Sequence, residues 1–196
     1  MKRLLLLLCL GSLCLGLTYL HFEKRVTKYV LPKGELKWST KRPKNAKMCI
    51  PAAFSDKRGR VIGSYRINGK SYKTNNRRKV SLKGGTFYIS PNWKSDNGFQ
   101  QLTLVYNSRP SKFRDNERCF RRALCKTKNE TFILESNYPM TMSSFAYHCS
   151  RRCEYAVYLD MGEYGYGYIK KNHILRPLYI LGFFTKHKQT NWIYVE

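Results

Sequence analysis

The chain has 196 residues, of which 37 are Lys or Arg and 12 are Asp or Glu, giving a formal net charge of +25. That length holds one domain with a sizeable core and excludes two comfortable ones. The positive excess points to polyanions: nucleic acid, anionic headgroups, phosphorylated glycans or teichoic-type polymers. Dispersed charge also serves as a solvated face, so it names no partner by itself.

The first three residues supply a positive n-region, and residues 4–20 form an almost unbroken apolar run. This reads as an export segment, with residues 1–25 left out of the fold. No small-residue pair marks a cleavage site, and Cys9 and Cys14 each follow a leucine, where a lipobox wants a small residue. A cleaved signal peptide and an uncleaved membrane anchor through residues 4–20 both fit the run, which is slightly short for a spanning helix. Either way the domain is expected outside the cytoplasm. Residues 26–48 are lysine-rich and broken by Pro32, Gly34 and Pro43, which suggests a basic tether or an irregular lead-in strand. The folded domain is expected over 49–196.

From Cys49 onward the pattern is one of short strands. Two alternating runs flank Asn68-Gly69, the strongest hairpin signal in the chain, and suit a type I′ turn. Gly84-Gly85 interrupts the next strand pattern and suggests a bulge or a close backbone approach. A strand then ends at a turn with Pro110, and residues 119–136 read as a hairpin with a polar tip. After Pro139, Thr141 is a plausible N-cap for a helix carrying Met142, Phe145, Ala146, Cys149 and Cys153 on one face. The apolar run Ala156–Leu159 predicts a strand buried on both sides, with Asp160 at its C-terminal end. Two more strands are expected in the tail. The fold class is α+β, a single domain built from a mainly antiparallel sheet with one or two packed helices.

Five cysteines follow the export segment. The helical spacing of Cys149 and Cys153 suits buried thiols better than a disulfide or a metal site, whereas Cys119 and Cys125 could be bridged in an oxidising compartment. Neither the nucleophile motifs nor the metal motifs of known hydrolases occur, and no metal or cofactor is expected. The candidate carboxyl groups near strand ends are Glu135, Asp160 and Glu163. Hydrolysis at a sugar's anomeric carbon needs such a group to protonate the leaving oxygen or to stabilise an oxocarbenium-like centre. Tyr164, Tyr166 and Tyr168, spaced by glycines, would share one face of an extended segment and could stack on a sugar ring. An edge strand whose tyrosines cover a core explains the same spacing.

The order of the segments CIPAAFSD, GSYRINGK, SLKGGTFYI, FQQLTLVYNSRP, RRALC, FILES, MTMSSFAYHC, AVYLDMG and QTNWIYV resembles the phosphodiester glycosidase family. That domain occurs in the lysosomal uncovering enzyme and in many exported bacterial proteins, and the likeness is to a short bacterial branch. The resemblance implies hydrolysis of a sugar-1-phosphodiester at the glycosidic bond of a phosphorylated glycan. It implies Asp160 as the central carboxylate, Arg121 or Arg122 in the place of the family's arginine, and Gly84, Gly85, Gly162 and Asn191 around the substrate. On this reading Glu135 or Glu163 would partner Asp160, Arg121 and Arg122 would grip the phosphate assisted by Lys83, and Tyr164 and Tyr166 would shape the sugar pocket. Lys83 stands where the family has asparagine, and Met161 where it has glycine; both changes put the uncovering enzyme's own substrate in doubt. The alternative is a non-catalytic basic module that binds anionic envelope polymers. Nucleic acid is not expected as a partner, because the segment 4–20 directs the chain outward and no nucleic-acid-binding motif is present.

Overall fold

The computed structural model describes residues 25–161, 167–171, 174–177 and 191–196. In chain order the first strands are β1 (Val26–Val30), β2 (Leu36–Ser39), β3 (Met48–Pro51), β4 (Tyr65–Ile67) and β5 (Lys70–Tyr72). Then come β6 (Lys79–Lys83), β7 (Thr86–Ser90), β8 (Gly98–Phe99), β9 (Thr103–Tyr106) and β10 (Arg109–Pro110). The hairpin β11 (Arg122–Lys126) and β12 (Thr131–Ser136) leads to helix α1 (Met142–Ser150). Strands β13 (Tyr155–Leu159), β14 (Tyr168–Lys171), β15 (Ile174–Pro177) and β16 (Trp192–Val195) close the chain. The fold is α+β, and every strand pair among the described residues is antiparallel.

Three sheets surround one core. The six-stranded sheet runs β1-β12-β11-β13-β9-β10, one five-stranded sheet runs β15-β14-β3-β16-β2, and the other runs β5-β4-β8-β6-β7. Trp38, Ile50, Leu82, Phe87, Leu124 and Ile193, drawn from all three, meet in that core. The six-stranded sheet is buried on its other face as well, where Phe132, Leu134, Ala156 and Tyr158 pack with Phe145 and Cys149 of α1. Period-two alternation along β11, β12 and β13 therefore sends successive side chains into two different apolar layers. The strand expected from Ala156–Leu159 is buried through those four residues, as its unbroken apolar run requires.

Local signals set the turns. Asn68 and Gly69 both have positive φ (47° and 78°), as a type I′ turn demands, and join β4 to β5. Gly84 and Gly85 (φ 57° and 75°) do the same between β6 and β7. Of the two readings of the glycine pair, the bulge gives way to a hairpin turn and the close backbone approach holds: a Cβ on Gly85 would lie only 3.2 Å from the Gly34 carbonyl. Thr141 caps α1, its hydroxyl accepting from the Ser144 N–H at 3.2 Å.

Of the two readings of residues 26–48, the lead-in strand describes them and the free tether does not, since β1 pairs along its whole length with β12 and β2 with β16. The described cysteines are all free: Cys119 bridges to Met140 ahead of the hairpin, whereas Cys125 lies under α1 with Cys149 and Cys153. The segment 4–20, the first of the two expected tail strands at 178–185 and the glycine-tyrosine stretch at 162–166 lie outside the described residues.

Asn191 locks this arrangement. Fully buried, its Oδ1 accepts from the Ala53 N–H at 2.6 Å and the Trp38 indole at 3.3 Å. Its Nδ2 donates to the Ala53 carbonyl at 2.8 Å and to Ser55 Oγ at 3.1 Å. All of the amide's capacity is spent on protein, so Asn191 acts here as a clamp rather than as a substrate contact. Asn191→Ala strands several buried groups, each worth about 1–3 kcal/mol. Urea unfolding should show a loss of at least ~2 kcal/mol; a loss below ~0.5 kcal/mol would contradict the clamp.

Candidate functional site

The residues expected to act together are distributed by the alternation of the six-stranded sheet. Arg122 faces the inter-sheet core, directly opposite Glu135 on one side and Leu159 on the other. Its guanidinium is fully buried and ion-paired through Nε to the Glu135 carboxylate. The Tyr29 hydroxyl, on β1, also bonds to Glu135; burial and that carboxylate push the phenol up to about 12. Gly167 (φ 140°) lies against the other end of the guanidinium, where a Cβ would approach Nη1 to 3.2 Å. The backbone approach that glycine permits at this point is to Arg122.

Arg121 precedes β11 and is turned toward the opposite layer. Its guanidinium bonds to Asp115 at 3.0 Å and to the carbonyls of Met140 (3.2 Å) and Glu117 (2.9 Å), and lies 5.8 Å from the Tyr158 ring. Arg121 and Arg122 therefore do not share a ligand: a sheet separates them. The expected pair of phosphate-gripping arginines is two separate structural cations.

Asp160 follows β13 at the edge of that layer, half-buried, with its N–H bonded to the Ala52 carbonyl at 2.9 Å. Its charge acts on the Tyr158 hydroxyl, which burial above all pushes up to about 12. Gly162, Glu163, Tyr164 and Tyr166 lie outside the described residues.

Lys83 and Gly84 are at the other end of the molecule's central strands. They line a cavity of about 570 Å³ between the β6–β7 hairpin and the face formed by β9, β13 and β11. Lys94 and Lys126 join Lys83 there, with Tyr88, Tyr106 and Tyr155. Tyr106 and Tyr155 are opposite each other in the β9–β13 ladder and meet edge to face at 5.6 Å. Lys126 donates to the Phe87 carbonyl at 3.2 Å and lies 4.3 Å over the Tyr88 ring; burial lowers its ammonium's pKa. None of the three lysines forms an ion pair among the described residues. Cations beside aromatic faces in a concave site suit an anionic ring-bearing ligand.

No protein-family model and no curated protein matches this chain.

Asp160 and this cavity are well apart. Tyr155 and Asp160 are five residues apart along an extended strand, about 16 Å at the usual rise of ~3.3 Å per residue. Of the expected site residues that are described, only Lys83 and Gly84 come together here. The residues that sequence reasoning missed are Lys94, Lys126, Tyr88, Tyr106 and Tyr155. Lys126 and Tyr155 are registered across β11–β13, and Tyr155 with Tyr106 across β13–β9, pairings that no local window contains.

Removing one partner of a buried ion pair leaves the other charge unpaired, at about 3–5 kcal/mol. Glu135→Ala should lower unfolding stability by that order, and a variant as stable as wild type would show that Glu135 is not structural. The Tyr29 proton adds a pH signature. Unfolded tyrosine loses its proton near pH 10, but the folded chain keeps it to about 12, so stability is full below pH 10 and falls as pH rises through 12. Tyr158 contributes in the same direction. Tyr29→Phe should flatten part of the alkaline loss in a melting series from pH 9 to 12; an unchanged slope would remove Tyr29 from it.

Proposed function

We propose that the protein is an exported module that binds phosphorylated or otherwise anionic glycans in the cavity between the β6–β7 hairpin and the β9–β13–β11 face. The observation that carries this reading is the convergence of Lys83, Lys94 and Lys126 on Tyr88, Tyr106 and Tyr155, with no ion pair to these lysines among the described residues. Ammonium groups answer phosphate or sulfate, and the tyrosine faces answer the apolar side of a sugar ring. The surrounding net charge of +25 raises the local concentration of any polyanion. Binding is favoured over cleavage because the two arginines and Glu135 are committed to the fold, and Asp160 is a full strand length away.

Hydrolysis of a sugar-1-phosphodiester is the second reading. It is favoured by one observation: Asp160 is a half-buried carboxylate at a strand end, one residue beyond the row that holds Arg122 and Glu135. Release of free sugar from such a diester by the wild type, abolished in Asp160→Asn, would establish it.

The binding reading is tested with heparin disaccharide and glucose-1-phosphate by calorimetry at two salt concentrations. Each lysine contact to an anionic group is worth ~1 kcal/mol or more, so Lys83→Ala and Lys94→Ala should each weaken binding about three- to tenfold. Affinity should fall as salt rises. Unchanged affinity in the Lys83→Ala/Lys94→Ala double variant would overturn this site.

A further inference from the structure

A second cavity, of about 480 Å³, opens beside the first and is lined by Arg77, Arg78, Asn75, Asn76, Gln100 and Thr103. Phe54, Ile62 and Leu102 supply apolar wall beside these polar and cationic groups, and the turn that carries the arginines is held firmly. The buried ammonium of Lys79 donates to the carbonyls of Asn75 (2.8 Å) and Arg77 (3.1 Å), fixing the turn that carries the arginines. The Asn75 amide donates to Gln100 Oε1 at 2.6 Å, which ties that turn to the opposite wall.

Two features connect the cavities. Arg78 lines the second, yet its guanidinium lies 3.9 Å over the ring of Tyr106, which lines the first. The other feature is a β-bulge in β9. Tyr106 pairs with Tyr155, Val105 with Ala156, and Thr103 with Val157, so Leu104 is the extra residue. Leu104 and Val105 both point into the layer under α1. Residues three apart on a regular strand face opposite ways; the bulge brings Thr103 and Tyr106 onto the same face. One cavity therefore stands at each end of β9, on one side of the sheet, about 10 Å apart at ~3.3 Å per residue.

The geometry points to a single groove along β9 that takes an extended anionic glycan chain, with the first cavity holding one unit, Arg77 and Arg78 holding anionic groups further along, and the Arg78–Tyr106 stack forming the crossing between them. This inference rests on the binding reading above and deepens it: the ligand is a polymer rather than a sugar phosphate. The exposed side-chain amide of Asn76, also in the second cavity, matches the hydroxyls that a glycan presents between its charges. Aromatic platforms beside cations also suit single-stranded nucleic acid. The second cavity's aromatic ring, Phe54, is packed against Tyr158 at 5.5 Å, and the amides and arginines around it favour glycan.

The test is a length series of heparin oligosaccharides, from disaccharide to decasaccharide, titrated into the full chain at fixed salt. Affinity should climb at least tenfold between disaccharide and octasaccharide and then level off once the groove is filled. Arg77→Ala should cut the octasaccharide-to-disaccharide affinity ratio at least fivefold, whereas Lys44→Ala, an equal loss of charge outside both cavities, should change it less than twofold. Equal cuts by the two variants would reduce the effect to bulk charge and overturn the groove. Disaccharide binding that depends on Lys83 but gains nothing with length would overturn the groove while leaving the first cavity as a binding site. Tighter binding of an oligothymidylate of matched charge would overturn glycan as the occupant.

Discussion

A sheet buried on both faces has no room for an unpaired charge, and the six-stranded sheet of this protein carries two arginines and a glutamate at its centre. Each must be satisfied within its own layer, because the backbone alternates side chains between the inter-sheet core and the layer under α1. Arg122 meets Glu135 and Tyr29 in one layer; Arg121 meets Asp115 and two carbonyls in the other. Other polar chemistry is thereby pushed to the ends of the strands. One end presents Asp160, and the other presents Lys126 and Tyr155 to the β6–β7 hairpin.

The same constraint explains why charge in the cavity stays available. Arg121 and Arg122 are neutralised in pairs and the buried Lys79 is held by three carbonyls, but the lysines of the cavity stand where solvent still reaches them, so an ammonium there costs little to leave without a carboxylate. Lys126 is the intermediate case, partly desolvated and supported by a carbonyl and a tyrosine face. An anion arriving in the cavity finds hydrogen-bond donors already positioned by two sheets. The groove continues this arrangement along β9, where Lys79 spends its own charge on backbone carbonyls to hold the arginines outward.

Much of the fold could be read from the sequence because its signals are local. Asn68-Gly69 specifies a turn through positive φ, Thr141 caps a helix through its own hydroxyl, and Ala156–Leu159 has no polar face to expose. The glycine pair at 84–85 was half legible: the special backbone is there, but as a hairpin turn and not as a bulge. The bulge lies instead at Leu104, where nothing in the residue type announces it, because two apolar neighbours simply share one layer. The site was less legible for a related reason. Adjacent arginines look like a phosphate grip in one dimension and are divided by a sheet in three. Asn191 looks like a ligand contact and is spent on Ala53, Trp38 and Ser55. Tyr106 and Tyr155 are brought together by a ladder between strands far apart in the chain, as are the lysines of different sheets.

The central claim is one of place: anionic ligands enter at the Tyr155 end of the central strands, not at the Asp160 end. Backbone-amide NMR shifts recorded while heparin tetrasaccharide is added would test it most directly. The account predicts the largest changes at Lys83–Tyr88, Tyr106, Lys126 and Tyr155, with Leu159–Met161 and Ala52–Ser55 little moved. Changes centred on Leu159–Met161, with the cavity silent, would contradict it and return Asp160 to the centre of the function.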